Sequence, residues 1–288
     1  MINLLDTIFP RSCSICKRKG DYLCDHCKKL FKRSIPECYI CRKISPNYKT
    51  HYECREERKS SSLNHVFVAW EYNSLSSILL KKYKYNYVQS ISNTLIEIFV
   101  ESIKNSTFNT TLMGSILTNV PLAENRLRER GFNQTTEIAR KVAEAFNLPF
   151  VEDLVKRKES YGHQALRDKD ERKEIKEGTF TLRNDFSLEE YSSITILDDV
   201  ITTGATLEAI ASTLRKNTDK DIEINALCLL RGRPYYLGSP KPCSNVSSSP
   251  PSPNPSKPSS PSAPSRSKSS GSFTSPALTS SRAVTTSW

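Results

Sequence analysis

Along the middle of the chain, polar and apolar positions switch between a short and a long period, and the switches predict the elements. Leu63 to Tyr72, LNHVFVAWEY, alternates and is rich in β-branched and aromatic residues, which predicts a strand. Ser74 to about Tyr85 has helical spacing, and so has the stretch from Ile91 to about Lys104, where Ile91, Leu95, Phe99 and Ile103 form an i, i+4 stripe. Leu112 to Val120 predicts a buried strand ending at Pro121, with a helix following through Phe146. Ile194 to Leu197 is an apolar, β-branched run too short for a helix, helical spacing returns from Leu207 to about Lys216, and Ile222 to Leu230 predicts a closing strand. Strands alternating with helices predict a Rossmann-like α/β domain with a mostly parallel sheet over residues 61–231.

On either side the pattern fails. Residues 1–60 are poor in aliphatic side chains, whereas 232–288 hold eleven of the 16 prolines, many serines and no acid, which predicts a disordered tail. No apolar run reaches transmembrane length and none near Met1 suits a signal peptide, so the expectation is a cytoplasmic protein with no membrane insertion. The net charge of +11 sits at the ends: residues 1–60 carry 14 Lys and Arg against 7 Asp and Glu, and from Gly232 onward there are six basic residues and no acid. Basic ends on a near-neutral centre fit either a polyanion partner such as nucleic acid or an ordinary solvated surface.

Seven of the nine cysteines precede residue 55. In a reducing compartment such spacing reads as metal ligation and not as disulfides. Cys13-x-x-Cys16 and Cys24-x-x-Cys27, with a turn at Gly20 between them, can aim four sulfurs at one structural Zn²⁺. Cys38-x-x-Cys41 and His51-x-x-Cys54 form a second set, with an imidazole in place of a thiolate. Spacing leaves open whether the pairs interleave and whether the second set is a lost site. So few aliphatic residues would hardly fold without metal.

Ile194 to Leu207, ITILDDVITTGATL, carries the main chemistry. A buried strand, paired acids Asp198 and Asp199, a loop of Thr202, Thr203, Gly204, Ala205 and Thr206, and then a helix N-terminus make a site for a phosphorylated sugar. Loop and first-turn N–H groups lack intrahelical partners and face an anion, and the helix dipole adds to the attraction. The competing reading, acids that hold Mg²⁺ in a P-loop ATPase, needs a glycine followed by lysine in a phosphate loop, and no glycine here is followed by lysine. The segment resembles the PRPP-binding motif of phosphoribosyltransferases. That resemblance implies Asp198 and Asp199 on the ribose hydroxyls and Thr202 to Thr206 around the 5′-phosphate.

The second informative stretch is VPLAENRLRERGFNQ, where Arg126, Arg128 and Arg130 crowd a loop after a predicted strand. Arginine's planar fork suits phosphate oxygens. An N-terminal C-x-x-C segment, this RGFNQ loop and DDVITTGAT, in that order, resemble the ComF family of phosphoribosyltransferase-like proteins over about residues 8–231. The resemblance implies a phosphoribosyltransferase fold behind a zinc ribbon, Mg²⁺-dependent PRPP binding, and Arg126, Arg128 and Arg130 on pyrophosphate. It also implies a link to DNA uptake in competence, with single-stranded DNA or other competence proteins as partners. Residues 156–180 match the family's hood loop in part. Gln164, Arg172 and Phe180 keep the spacing, Ile175 replaces an expected Asn, and the expected Leu is displaced to Leu166. Two functions follow: phosphoribosyl transfer to an unknown acceptor, or a non-catalytic nucleic-acid-binding accessory role with a regulatory or vestigial PRPP pocket.

Overall fold

Each stretch with a period of two became a strand and each long run with a period near 3.6 became a helix. The computed structural model describes residues 11–57, 61–85, 89–158 and 178–232. The chain divides into units 1–245 and 246–288, and every described residue lies in the first. The predicted tail beyond Gly232 lies outside the described residues.

From the N-terminus come α1 (Asp25–Lys29), a 3₁₀ turn (Pro46–Tyr48), α2 (Tyr52–Glu57), β1 (His65–Glu71), α3 (Ser74–Tyr85), α4 (Gln89–Lys104), α5 (Phe108–Leu112) and β2 (Ile116–Asn119). Then follow α6 (Glu124–Arg130), α7 (Gln134–Phe146), β3 (Phe150–Val151), β4 (Val155–Arg157), β5 (Phe180–Leu182), β6 (Ser193–Ile201), α8 (Ala205–Lys216) and β7 (Glu223–Arg231). Five strands form one parallel sheet in the order β1-β7-β6-β2-β3, while β4 and β5 pair as a separate antiparallel hairpin.

Several details differ from the sequence reading. Residues from Phe108 to Leu112 are helical, so the predicted strand begins only at Ile116. Two-residue β3 is too short to show an alternating pattern. The arginine-rich stretch is a short helix, α6, and not a loop. Strand β6 runs on through Asp198 and Asp199 to Ile201, so both acids lie on the strand.

Alternation along the central strands builds two cores, one on each face of the sheet. Phe67, Leu197, Leu227 and Leu229 pack on one face with α3, α4 and α7. Val68, Ile196, Ala226 and Cys228 pack on the other with α8 and the β4–β5 hairpin. The cysteine-rich segment joins both layers: Cys13, Leu23, Cys27 and Phe31 enter the first core and Tyr39 enters the second. It also covers the exposed edge of β1, where Ser34 donates to the Ala69 carbonyl at 3.0 Å and Glu71 to the Lys32 carbonyl at 2.9 Å.

Candidate functional site

Neighbouring strands β2 and β6 send the chain in opposite directions, toward β3 on one side and β7 on the other. Such a divergence opens a crevice at the carboxyl ends of the strands, where open α/β sheets take ligands. Both stretches singled out in the sequence leave the sheet at that edge.

Asp198 and Asp199 are consecutive on β6, so they point to opposite faces. The Asp198 carboxylate accepts the Asp199 amide at 2.8 Å. Burial, and then the charge of Asp199, push the Asp198 carboxyl up to about 7, against the opposing pull of Lys84. Lys84, at the end of α3, forms an ion pair with Asp199, and both side chains are largely buried. Sequence reasoning did not single out Lys84 as a site residue, because a lysine in a last helical turn is ordinary. Opposite Asp198 in the register is Cys228, whose thiol is raised well above its usual range by burial and by the Asp198 charge.

In the loop, Thr202, Thr203 and Ala205 are exposed, Thr206 is half-buried and Gly204 is buried with a φ of +84°. Gly204 is the N-cap of α8 and offers no side chain to cap it; of the first-turn amides, that of Ala205 donates to the Thr203 hydroxyl at 3.4 Å. A Cβ at Gly204 would lie 2.8 Å from Cε2 of Tyr39, and one at Gly232 would lie 2.7 Å from the Thr202 methyl. Neighbours this close hold the loop's inner side at two points.

The arginines do not converge in the same way. Arg126 pairs with Glu129 at 2.9 Å and Arg128 with Glu124, all four exposed on α6. Arg130 donates to the Gln134 side chain at 3.0 Å. The RGFNQ sequence does structural work here. Gly131 closes α6, Asn133 caps α7 by accepting the Thr135 amide at 3.2 Å, and Phe132 meets the Tyr83 ring edge-on. Tyr83 donates to the Gln134 carbonyl at 2.9 Å, and the Gln134 amide donates to the Lys84 carbonyl at 3.4 Å. A continuous set of contacts therefore runs from the arginine helix to the lysine that pairs with Asp199.

Two metal-ligand sets are assembled without interleaving: Cys13, Cys16, Cys24 and Cys27, and Cys38, Cys41, His51 and Cys54. Within each set the four donor atoms lie within 4.8 Å of one another. A tetrahedral zinc site with Zn–S bonds of about 2.3 Å puts sulfurs about 3.8 Å apart. Cys16 and Cys24 sulfurs are 3.6 Å apart, and the Cys41 sulfur is 3.3 Å from His51 Nδ1. Burial raises the Cys13 thiol, but the N–H groups of Cys24, Cys16 and Ile15 outweigh it and bring it down to about 6. Both sets could hold zinc, each offering four ligands, the number a tetrahedral site takes. The hood residues Gln164 and Arg172 lie outside the described residues.

Sheet, paired acids, hydroxyl loop and cysteine clusters together define the class: an α/β protein with a parallel five-stranded sheet and two zinc-type ligand sets packed onto it. Over 209 residues the chain is 30% identical to Competence protein F of Haemophilus influenzae, covering 70% of this chain and 88% of that protein. The chain belongs to the ComF family. It is also 27% identical over 223 residues to Competence protein ComFC of Bacillus subtilis (74% and 86% covered), and 24% identical over 221 residues to DNA utilization protein YhgH of Escherichia coli K12 (75% and 89% covered). Among solved structures it is similar to adenine phosphoribosyltransferase from Leishmania donovani, with a TM-score of 0.33, 14% identity, and 58% of this chain and 83% of that chain covered. No family model matches the chain. Among the described residues, no helix is long and apolar enough to cross a membrane.

Proposed function

We propose that this protein binds PRPP with Mg²⁺ at the carboxyl end of β6 and transfers the phosphoribosyl group to an acceptor in the handling of incoming DNA. The observation that carries the reading is the joint position of Asp198, Asp199 and the α8 N-terminus beside the β2–β6 divergence. Asp198 and Asp199 accept hydrogen bonds from the ribose hydroxyls, and the amides and hydroxyls of Thr202 to Thr206 bind the 5′-phosphate. When bound, Mg²⁺ would supply positive charge to offset that of the departing pyrophosphate. Arg126, Arg128 and Arg130 serve the same charge once their pairs with Glu129, Glu124 and Gln134 exchange for phosphate oxygens. Zinc in the two cysteine sets is structural.

Isothermal titration with PRPP and Mg²⁺ tests this reading. Wild type should release binding heat, and the Asp198→Asn/Asp199→Asn variant should release little. Absence of heat from wild type, or equal heat from the variant, refutes it.

One observation favours a further DNA-binding reading: Lys17, Arg18, Lys19 and Lys29 are exposed around the first cysteine set. The relatives are named for competence and DNA utilization, which agrees with that surface meeting single-stranded DNA. Affinity for an oligonucleotide should fall steeply as salt rises, and fall further on neutralising those four residues. A salt-independent or undetectable affinity removes the DNA arm and leaves PRPP binding standing.

A further inference from the structure

The second cysteine set and the phosphate loop are at least 148 residues apart in sequence, yet a residue of the first knuckle of that set reaches the loop. Tyr39 lies between two ligands of that set, Cys38 and Cys41, and is 4% exposed. The knuckle fixes its backbone: Cys38 donates to the Lys43 carbonyl and Arg42 to the Cys38 carbonyl, each at 2.9 Å. Buried Arg231 holds it from behind, donating to the Tyr39 carbonyl at 2.5 Å. The ring lies so close under Gly204 that an added Cβ would sit 2.8 Å from Cε2 and 3.3 Å from Cδ2. The hydroxyl reaches past the loop and donates to the Glu208 carboxylate in the first turn of α8, whose other oxygen accepts the Ser62 amide at 3.0 Å. Ring and hydroxyl thus meet the chain at Gly204, in the middle of the segment whose amides would surround a phosphate, and at Glu208, just past it.

We infer that Tyr39 is a positioning residue that makes the second metal-ligand set part of the phosphate site, so that metal held by Cys38, Cys41, His51 and Cys54 sets the shape of loop 202–206. The inference rests on the reading that this loop takes the PRPP phosphate. Its physical ground is that a loop with a left-handed Gly204 and an exposed outer side keeps its amides convergent only against a fixed floor. The floor is the Tyr39 ring, and a tetrahedral knuckle fixes that ring more firmly than a free loop could. Losing metal there should loosen the loop while the sheet stays intact.

Two measurements on the full chain decide the matter. The first is PRPP titration with Mg²⁺ on zinc-loaded wild type, Tyr39→Phe and Tyr39→Ala, with zinc content and melting temperature recorded for each. The expected dissociation constant rises about threefold for Tyr39→Phe, which keeps the ring, and about tenfold for Tyr39→Ala, with zinc content unchanged. The second is ligand-free hydrogen exchange. Amides of residues 203–207 should exchange about tenfold faster in Tyr39→Ala and in Cys54→Ser, with a smaller change in those of β6 and β7. Wild-type affinity and wild-type loop exchange in Tyr39→Ala would overturn the inference, and so would faster exchange spread evenly over the sheet. If wild type releases no heat with PRPP, the ligand assignment alone falls and the exchange result still decides the role of Tyr39.

Discussion

Asp198 is held on β6 with its carboxyl raised from 3.8 to about 7, and that displacement makes stability depend on pH in a definite direction. The unfolded chain gives up the proton at lower pH than the folded one. The contribution is therefore complete below the unfolded value and is lost as pH climbs toward 7. Asp198→Asn removes the titration: wild type and variant should melt together near pH 4, and the variant should melt about 5 °C higher at pH 8. Thermal melts at the two pH values check this, and a variant that gains nothing at pH 8 shows that the Asp198 carboxyl is not raised. Gly204 gives a second test. Alanine there must hold a φ of +84° with its Cβ 2.8 Å from the Tyr39 ring, a strain of about 1–3 kcal/mol. A lower melting temperature and weaker PRPP binding should appear together, read by melts and titration.

At the scale of elements, the long periodic stretches were legible and the short ones were not. The predicted helices over 74–85 and 91–104 correspond to α3 and α4, because long amphipathic runs record which face is buried. α5 and β3, five and two residues long, follow packing and leave no period to read. The DDVITTGAT stretch could be read because its backbone requirements are local: a left-handed glycine and a helix start. The cysteine pairing came from geometry, which separated two sets that spacing alone could have interleaved. Lys84, Tyr39, Glu208 and Arg231 were not legible as site neighbours. Each acts across a distance in sequence that no local pattern encodes, as in the contact between Tyr39 and Glu208.

For the whole molecule, the cysteine-rich segment is an integral wall and not an appendage, since Cys13, Cys27 and Phe31 belong to the same core as Phe99 and Leu197. Stripping zinc with a strong chelator should therefore lower the melting temperature of the entire α/β unit by about 10 °C or more. Calorimetry with and without chelator measures this, and an unchanged transition would show that the core stands without metal. Strand β1 adds one more constraint. Its partner in the sheet is β7, which ends at Arg231. A nascent chain emerging from the ribosome must hold the apolar β1 segment without its parallel neighbour until the residues of β7 have been synthesised. Truncation before Glu223 would then leave that strand searching for another edge, and aggregation, more than loss of any single contact, is the fate such a shortened chain would meet.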